Sequence, residues 1–281
     1  MSGSAGTDLD QWVGREEVRR DLIAEWPARA LAAMLDAGDV PTREQSPLPA
    51  GWQWLYFLEA RPPSEMGVDG HPLRGGFLPP VALPRRMWAG GRIRFESPLR
   101  IGDRAQRRST ILDVRAKSGR SGELVFVTVR HDISVDGRLA ISEEQDLVYR
   151  EAAGAGAAAP VGEPAPVGAS WLRTWRADAV MLFRYSALTF NAHRIHYDRP
   201  YATGEEHYRG LVVHGPLQAT LLLDLARQHA GRPLRTFEYR AQQPVFDGET
   251  FSANGRPDET GADLWTSNEA GRVCMQARAG F

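Results

Sequence analysis

A ten-residue pattern occurs twice in this chain. Arg94 to Asp103 reads RFESPLRIGD and Arg240 to Glu249 reads RAQQPVFDGE, so both fit R-x-x-x-P-(L/V)-x-x-G-(D/E) without a gap, 146 residues apart. A proline and a glycine at matched places call for the same strand end and the same turn twice. Between the copies lies Glu151 to Ser170, EAAGAGAAAPVGEPAPVGAS, a run of Ala, Gly, Pro and Val without hydrophobic periodicity. It reads as a linker, and at ~3.3 Å per residue it is long enough, ~65 Å extended, to cross the face of a domain. Repeat and linker together predict a duplicated unit with residues 1–150 as one half, 151–170 as the connection and 171–281 as the other half.

Each copy is followed by sequence of period two. In the first half Arg107 to Ala116, Leu124 to Val135 and Leu139 to Arg150 are rich in Val, Ile, Leu and Thr, with turns at Gly119 to Gly122 and Asp136-Gly137. In the second half Leu234 to Val245, Thr250 to Arg256, Ala262 to Asn268 and Arg272 to Phe281 repeat the pattern, with Gly261 and Gly271 at turns. Each half therefore ends in an antiparallel meander. Pro216 to Ala230 (PLQATLLLDLARQHA) is the best helix of the chain, apolar on most sides and opened by a proline. A long buried helix wrapped by an antiparallel sheet is a hotdog. The fold class expected is α+β, a double hotdog of two antiparallel sheets with one long central helix in the C-terminal half. In the first half the region matching that helix is taken as Phe77 to Met87, where Pro79, Pro80 and Pro84 forbid a long helix. Arg15 to Asp36 reads as a helix broken near Pro27, with Val18, Leu22 and Ile23 on one face.

Composition narrows the function classes. Lys and Arg number 34 against 35 Asp and Glu, a net charge of -1, which removes the bulk basic surface that nucleic acid binding needs. A single cysteine, Cys274, rules out an internal disulfide and a Cys-based zinc cluster. No stretch approaches the ~18–20 apolar residues of a membrane span, and Met1 to Asp10 lacks a signal-peptide pattern, so no membrane partner and a cytoplasmic location are expected. One lysine, Lys117, stands among the basic residues; the arginine excess reads as codon bias.

Four of the seven histidines, His193, His196, His207 and His214, fall between Phe183 and Leu217. Val213-His214-Gly215 leads straight into the apolar helix, whose first amides have no internal partners and suit an oxygen gaining negative charge. Asp198-Arg199-Pro200 reads as an N-cap with proline in the first turn of a short helix. Tyr185 and Ser186 are placed in a strand leading to this segment.

The run Asn191-Ala-His-Arg-Ile-His-Tyr-Asp, with Tyr201-Ala202 and Val213-His-Gly-Pro-Leu, resembles the MaoC-like hydratases and dehydratases. The branch it most resembles is that of the type 2 hydroxyacyl-thioester dehydratases and the mesaconyl- and itaconyl-CoA hydratases. The resemblance is strongest from Phe183 to Leu225. It implies a hydro-lyase that adds water reversibly to an enoyl thioester or removes it from a 3-hydroxyacyl thioester, without cofactor or metal. A small acyl-CoA, a C5 branched dicarboxylic unit among the candidates, is the implied substrate. The family motif has an Asp five residues before a His, the two sharing the water. Here the His is His196 and the residue five before it is Asn191, which cannot exchange protons as a carboxylate does. His196 is carried over as general acid/base, Asn191 only as a group that orients the water, and Gly215 as the amide that polarises the thioester carbonyl.

Plainer readings stand beside these. His196 alone would be a structural histidine bonded to backbone, and Asn191 a turn former. His193, His196 and Asp198 have a spacing that zinc or iron could use, H-x-x-H-x-D, but no further ligand pattern accompanies it. His214 either sets the turn into the helix or joins the substrate site with His193. Arg194 either anchors a substrate carboxylate or CoA phosphate or pairs with a surface acid. Other functions to weigh are a dehydratase acting on acyl carrier protein, a non-catalytic acyl-thioester binding protein and a thioesterase. The first half, lacking the His and Gly pair, is expected to shape the acyl pocket. A free sheet edge makes a homodimer the expected assembly.

Overall fold

The computed structural model describes residues 9–119, 122–152 and 162–281. Among the described residues ten strands form one antiparallel sheet. The first half supplies β1 (Glu16–Leu22), β2 (Arg85–Phe95), β3 (Arg104–Gly119), β4 (Gly122–Val135) and β5 (Arg138–Arg150). The second supplies β6 (Trp171–Arg176), β7 (Thr236–Ala241), β8 (Thr250–Pro257), β9 (Gly261–Asn268) and β10 (Val273–Gly280). The order is β1-β3-β4-β5-β2-β7-β10-β9-β8-β6, so the second half runs through the first half's order in reverse. The two expected sheets are thus fused where β2 pairs with β7. The fusion is symmetric: Gly90 faces Arg240, Arg94 faces Thr236, and between them Arg92 faces Glu238, its own counterpart in the repeat.

The repeated decapeptide builds the same corner in each half. Gly102 and Gly248 take φ of 98° and 83°, where only glycine is unstrained. The carboxylate one residue later reaches back to a backbone amide, Asp103 to Arg100 at 2.7 Å and Glu249 to Phe246 at 3.1 Å. The incoming chain is caught identically: Ile23 N donates to Asp103 O and Ala177 N to Glu249 O, while Gly102 N and Gly248 N return bonds to Ile23 O and Ala177 O. Each corner is followed at once by a meander, β3-β4-β5 or β8-β9-β10.

Each corner also receives an eleven-residue helix, α1 (Glu25–Leu35) or α2 (Ala179–Thr189). Two expectations are corrected here. Arg15 to Asp36 is a strand and then a helix, because Glu16–Leu22 pairs along β3 and leaves Val18 and Leu22 on the outer face, 45% and 46% exposed. Pro27 sits in the first turn of α1, where its missing N–H costs nothing. Tyr185 and Ser186 belong to α2 and not to a strand, since Asp178 caps that helix by accepting from Met181 N.

α3 (Arg199–Gly204) starts at Asp198, whose carboxylate accepts from Tyr201 N. α4 (Gly215–Ala230) is buried from Leu217 through Ala226 and packs against β8, β9, β10 and β6. Its last turn carries Arg227 and His229, which suit the negative end, and Gly231 closes it with φ of 64°. The buried Asp224 is held by Arg173, Arg227 and Gln228. The first-half counterpart of α4 is not Phe77 to Met87. Leu48 N donates to Leu99 O as Val213 N donates to Val245 O, which sets Trp52–Leu55, a single 3-10 turn, where α4 begins. Trp52, Leu55 and Phe57 fill the first half's core there.

Of the expected linker 151–170, residues 153–161 lie outside the described residues. The part from 162 on is paired: Glu163 O accepts from Val273 N at 3.0 Å and Ala165 N donates to Gly271 O at 2.8 Å. Among the described residues no helix is long and apolar enough to cross a membrane.

Candidate active site

A cavity of about 1940 Å³ is lined by both halves, and Asn191, His193, His196 and Gly215 all lie on its wall. α2 ends at Phe190, which takes the left-handed conformation with φ of 48° and turns the chain sharply into the site. Asn191 Oδ1 then accepts from His193 N at 2.9 Å, an Asx turn that leaves its amide NH2 without a partner among the described residues. A 3-10 turn over Arg194–His196 brings His196 inward.

His196 is buried, and its Nδ1 lies 2.7 Å from the Val212 carbonyl. That bond requires the proton on Nδ1 and leaves Nε2 as a lone pair. Burial pulls its pKa down to about 4, against the opposing pull of the Val212 carbonyl, so the ring is neutral near pH 7. Its face lies on His214, with centroids 3.7 Å apart and planes 18° apart. His214 itself is fully buried, off the cavity wall, with Nε2 2.9 Å from Ser186 Oγ. It gives no side-chain cap to α4. It supports His196 from behind.

Gly215 is the first residue of α4, where amides have no intrahelical acceptor. A Cβ there would stand 2.9 Å from Trp88 Cε3, so only glycine lets the helix start approach the cavity wall so closely. Trp88 is itself fixed, stacked on Tyr239 at 4.4 Å with Trp54 edge-on at 5.6 Å.

Arg194 is placed differently from an anchor for substrate. Its Nε and Nη2 bind Asp198 at 2.9 and 2.7 Å, its Nη1 reaches Val68 O, and the residue is not on the cavity wall. It pairs with an acid, the second of the two expected readings. Asp198 is thereby committed to Arg194 and to capping α3, and it does not join His193 and His196.

One group of residues was not visible as a site in the sequence. Asp69 and His71, from a first-half loop, stand against the second-half histidines. Asp69 Oδ2 lies 3.0 Å from His71 Nδ1, and the His71 ring lies 4.1 Å from that of His193. His193 in turn is edge-on to His196 at 5.5 Å. Ligand-type atoms of Asp69, His71 and His193 lie within 4.8 Å of one another. Burial, followed by the Arg86 charge, brings His71 down to about 4, while the His71 contact helps to hold Asp69 far below the usual carboxylate range.

The family model described as hydroxyacyl-thioester dehydratase type 2 matches residues 51–247. The chain belongs to that family. It is 50% identical over 276 residues to the mesaconyl-C(4)-CoA hydratase of Chloroflexus aurantiacus, covering 97% of this chain and 98% of the relative. It is 28% identical over 261 residues to the mitochondrial hydroxyacyl-thioester dehydratase type 2 of Schizosaccharomyces pombe, covering 82% and 86%. Among solved structures, HtdX of Mycobacterium tuberculosis superimposes with a TM-score of 0.69 at 20% identity, covering 95% of this chain and all of that one. A second M. tuberculosis protein, described as having a double hotdog fold, covers 95% of each chain with a TM-score of 0.58 at 13% identity. The fold is a double hotdog of the MaoC-like kind.

Proposed function

We propose that this hydro-lyase adds water reversibly across the double bond of a branched dicarboxylic enoyl-CoA of the mesaconyl-C(4) type. The observation that carries the reading is the near full-length 50% match to a mesaconyl-C(4)-CoA hydratase, held together with His196, Asn191 and Gly215 on one cavity wall.

In this reading the Gly215 amide receives the thioester oxygen at the positive end of α4. One such donor is worth roughly 3 kcal/mol to a developing oxyanion. The carbonyl so polarised opens the β-carbon to water. His196 Nε2 and the free Asn191 NH2 hold that water, and the family pattern gives the acid/base role to His196. The first half closes the acyl pocket, with Phe77 and Leu78 on the cavity wall.

A C4 thioester of mesaconate carries its free carboxylate on the β-carbon, where the water adds. Negative charge at that position repels the attacking oxygen unless a cation neutralises it. Arg86, at the start of β2, is on the cavity wall and within electrostatic reach of His71 and His193. Among the described residues it has no ion-pair or hydrogen-bond partner, whereas neighbouring Arg85 is paired with Glu206 at 2.6 Å. A guanidinium of this kind fits a substrate carboxylate.

The test is the ultraviolet absorbance of the conjugated thioester. Adding the protein to mesaconyl-C4-CoA should bleach it, and His196→Ala should slow the bleaching by ~10²–10⁴. Unchanged absorbance with the wild-type protein, or release of free thiol in place of hydration, overturns the reading.

A further inference from the structure

We propose that His71, oriented by Asp69, is the residue that moves the proton at this site, supplied by the first half in place of the carboxylate that position 191 lacks, with His196 holding the water. The proposal rests on the hydratase reading above.

The loop bearing the pair is built onto the site. Gly67 N donates to His71 O at 2.7 Å and Gly70 N to Gly67 O at 3.0 Å, closing the loop on itself. Arg194 N donates to Asp69 O at 2.9 Å, and Arg194 Nη1 to Val68 O, which ties the loop to the segment that carries His193 and His196. Gly70, with φ of 86°, lies so close to that segment that a Cβ would stand 1.8 Å from Ala192 O.

Within the loop the Asp69 carboxylate is fully engaged in orienting its neighbour. Oδ1 accepts from His71 N at 2.9 Å and Oδ2 faces Nδ1 at 3.0 Å. A carboxylate at Nδ1 holds the proton there and leaves Nε2 as a lone pair. It also stabilises the imidazolium once Nε2 has taken a proton, the logic of a carboxylate–histidine base. His196 has only a backbone carbonyl at its Nδ1. Asn191 cannot take up and give back a proton as a carboxylate does, and its Oδ1 is spent on His193 N. His71 is on the cavity wall with His193 and His196. It is the imidazole of the cluster that a carboxylate backs.

The step balances with one proton. As the water oxygen bonds the β-carbon, its proton passes to His71 Nε2, and the π pair becomes an enolate whose oxygen faces the Gly215 amide. The same proton then passes from His71 to the α-carbon. One O–H bond and one π bond are exchanged for one C–O and one C–H bond, and His71 ends neutral. His196 Nε2 meanwhile accepts the second O–H of the water and holds the oxygen in place. One base serving both carbons delivers hydrogen and hydroxyl to the same face of the double bond.

The experiment is steady-state hydration of mesaconyl-C4-CoA by the full chain and by His71→Ala, His71→Asn and Asp69→Asn. His71→Ala and His71→Asn should lose kcat by ~10²–10⁴ with KM within a few-fold, and imidazole in solution should restore part of the His71→Ala rate. Asp69→Asn keeps a polar group of the same size at Nδ1 without the charge. It should lower kcat by at least about 10-fold, again with little change in KM. Hydration in D2O should place deuterium and hydroxyl on the same face. Melting temperatures near wild type show that the variants fold, and His71→Asn serves if His71→Ala does not. Wild-type kcat in a folded His71 variant overturns the proposal. So does loss of wild-type activity to a chelator with recovery on adding a divalent metal, which would give Asp69, His71 and His193 to an ion instead. A wild-type chain that hydrates nothing defeats the parent reading, and is thereby distinguished from failure of this one.

Discussion

His196 and His214 lie face to face, 3.7 Å between ring centroids, with neither ring offered a carboxylate among the described residues. Two stacked imidazoles in a buried site tolerate one positive charge poorly and two hardly at all. His196 is held down to about 4 by burial, and His214 well below its ordinary value by burial and then by the His196 charge. In the unfolded chain both would titrate near 6.5. Below that pH the unfolded chain takes up protons that the folded one refuses, so stability present above about 6.5 is lost as pH falls toward 4. His131, bonded to Ser109 and pulled to about 3 by burial, adds to the same loss. The melting temperature should fall steadily from pH 7 to pH 4.5, and His131→Asn should make that fall shallower. A melting temperature flat across this window would show that the histidines are not held neutral.

Gly215→Ala tests the start of α4. The added methyl would meet the Trp88 ring at 2.9 Å, and Trp88 cannot retreat because Tyr239 is stacked on it. The helix start must move instead, taking its amide with it. Overpacking of this kind costs about 1–3 kcal/mol of stability, and a displaced oxyanion donor about 10²–10³ in kcat. Urea denaturation and steady-state kinetics measure the two separately. A kcat within two- or three-fold of wild type would remove Gly215 from the carbonyl-binding role.

Arg86→Gln separates substrate classes. If the guanidinium neutralises the free carboxylate, KM for mesaconyl-C4-CoA should rise by at least about 10-fold, the ~1.5–3 kcal/mol of a charge-assisted hydrogen bond. Hydration of crotonyl-CoA, which has no carboxylate, should change little. Equal effects on both substrates would place the free carboxylate elsewhere in the cavity.

The architecture was legible in the chain wherever periodicity or turn chemistry was strong. The strands expected at Thr250 to Arg256 and Ala262 to Asn268, and the helix at Pro216 to Ala230, agree with β8, β9 and α4 to within a residue or so. Asp136-Gly137 does close a hairpin, with both residues at positive φ. β1 was not legible, because EEVRRDL is an edge strand that exposes its apolar Val18 and Leu22 and half-buries the charged Glu17, Arg19 and Asp21. The site was half legible. His196, Asn191 and Gly215 sit in one run of sequence, and the run carries the family pattern. Asp69 and His71 come from the other half, and the bonds of Arg194 N to Asp69 O and of Arg194 Nη1 to Val68 O bring them over. Asp-Gly-His flanked by turn glycines, Gly67 to His71, was the signal available: a carboxylate two residues before a histidine, on a loop too tight to be a plain connection.

The repeated corner yields a prediction about folding rather than catalysis. Asp103 and Glu249 make the same bond to the same place, the amide three residues back, in turns that lie at opposite ends of a symmetric pair of units. Each truncation, Asp103→Ala or Glu249→Ala, leaves one partly buried N–H without its acceptor. That costs about 1–3 kcal/mol. The two corners share no partner: Asp103 O receives Ile23 ahead of α1, and Glu249 O receives Ala177 ahead of α2. Losses at such separated sites add to within about 0.5 kcal/mol. Arg209 is salt-bridged to Glu249, whereas Asp103 has no ion-pair partner among the described residues. Glu249→Ala should therefore cost somewhat more, and the difference should shrink at high salt, where an exposed guanidinium is screened. Urea midpoints of the two single variants and the double variant, at low and high salt, provide the check. A double variant no less stable than either single one would mean that the two turns do not stabilise the fold independently, despite their matching geometry.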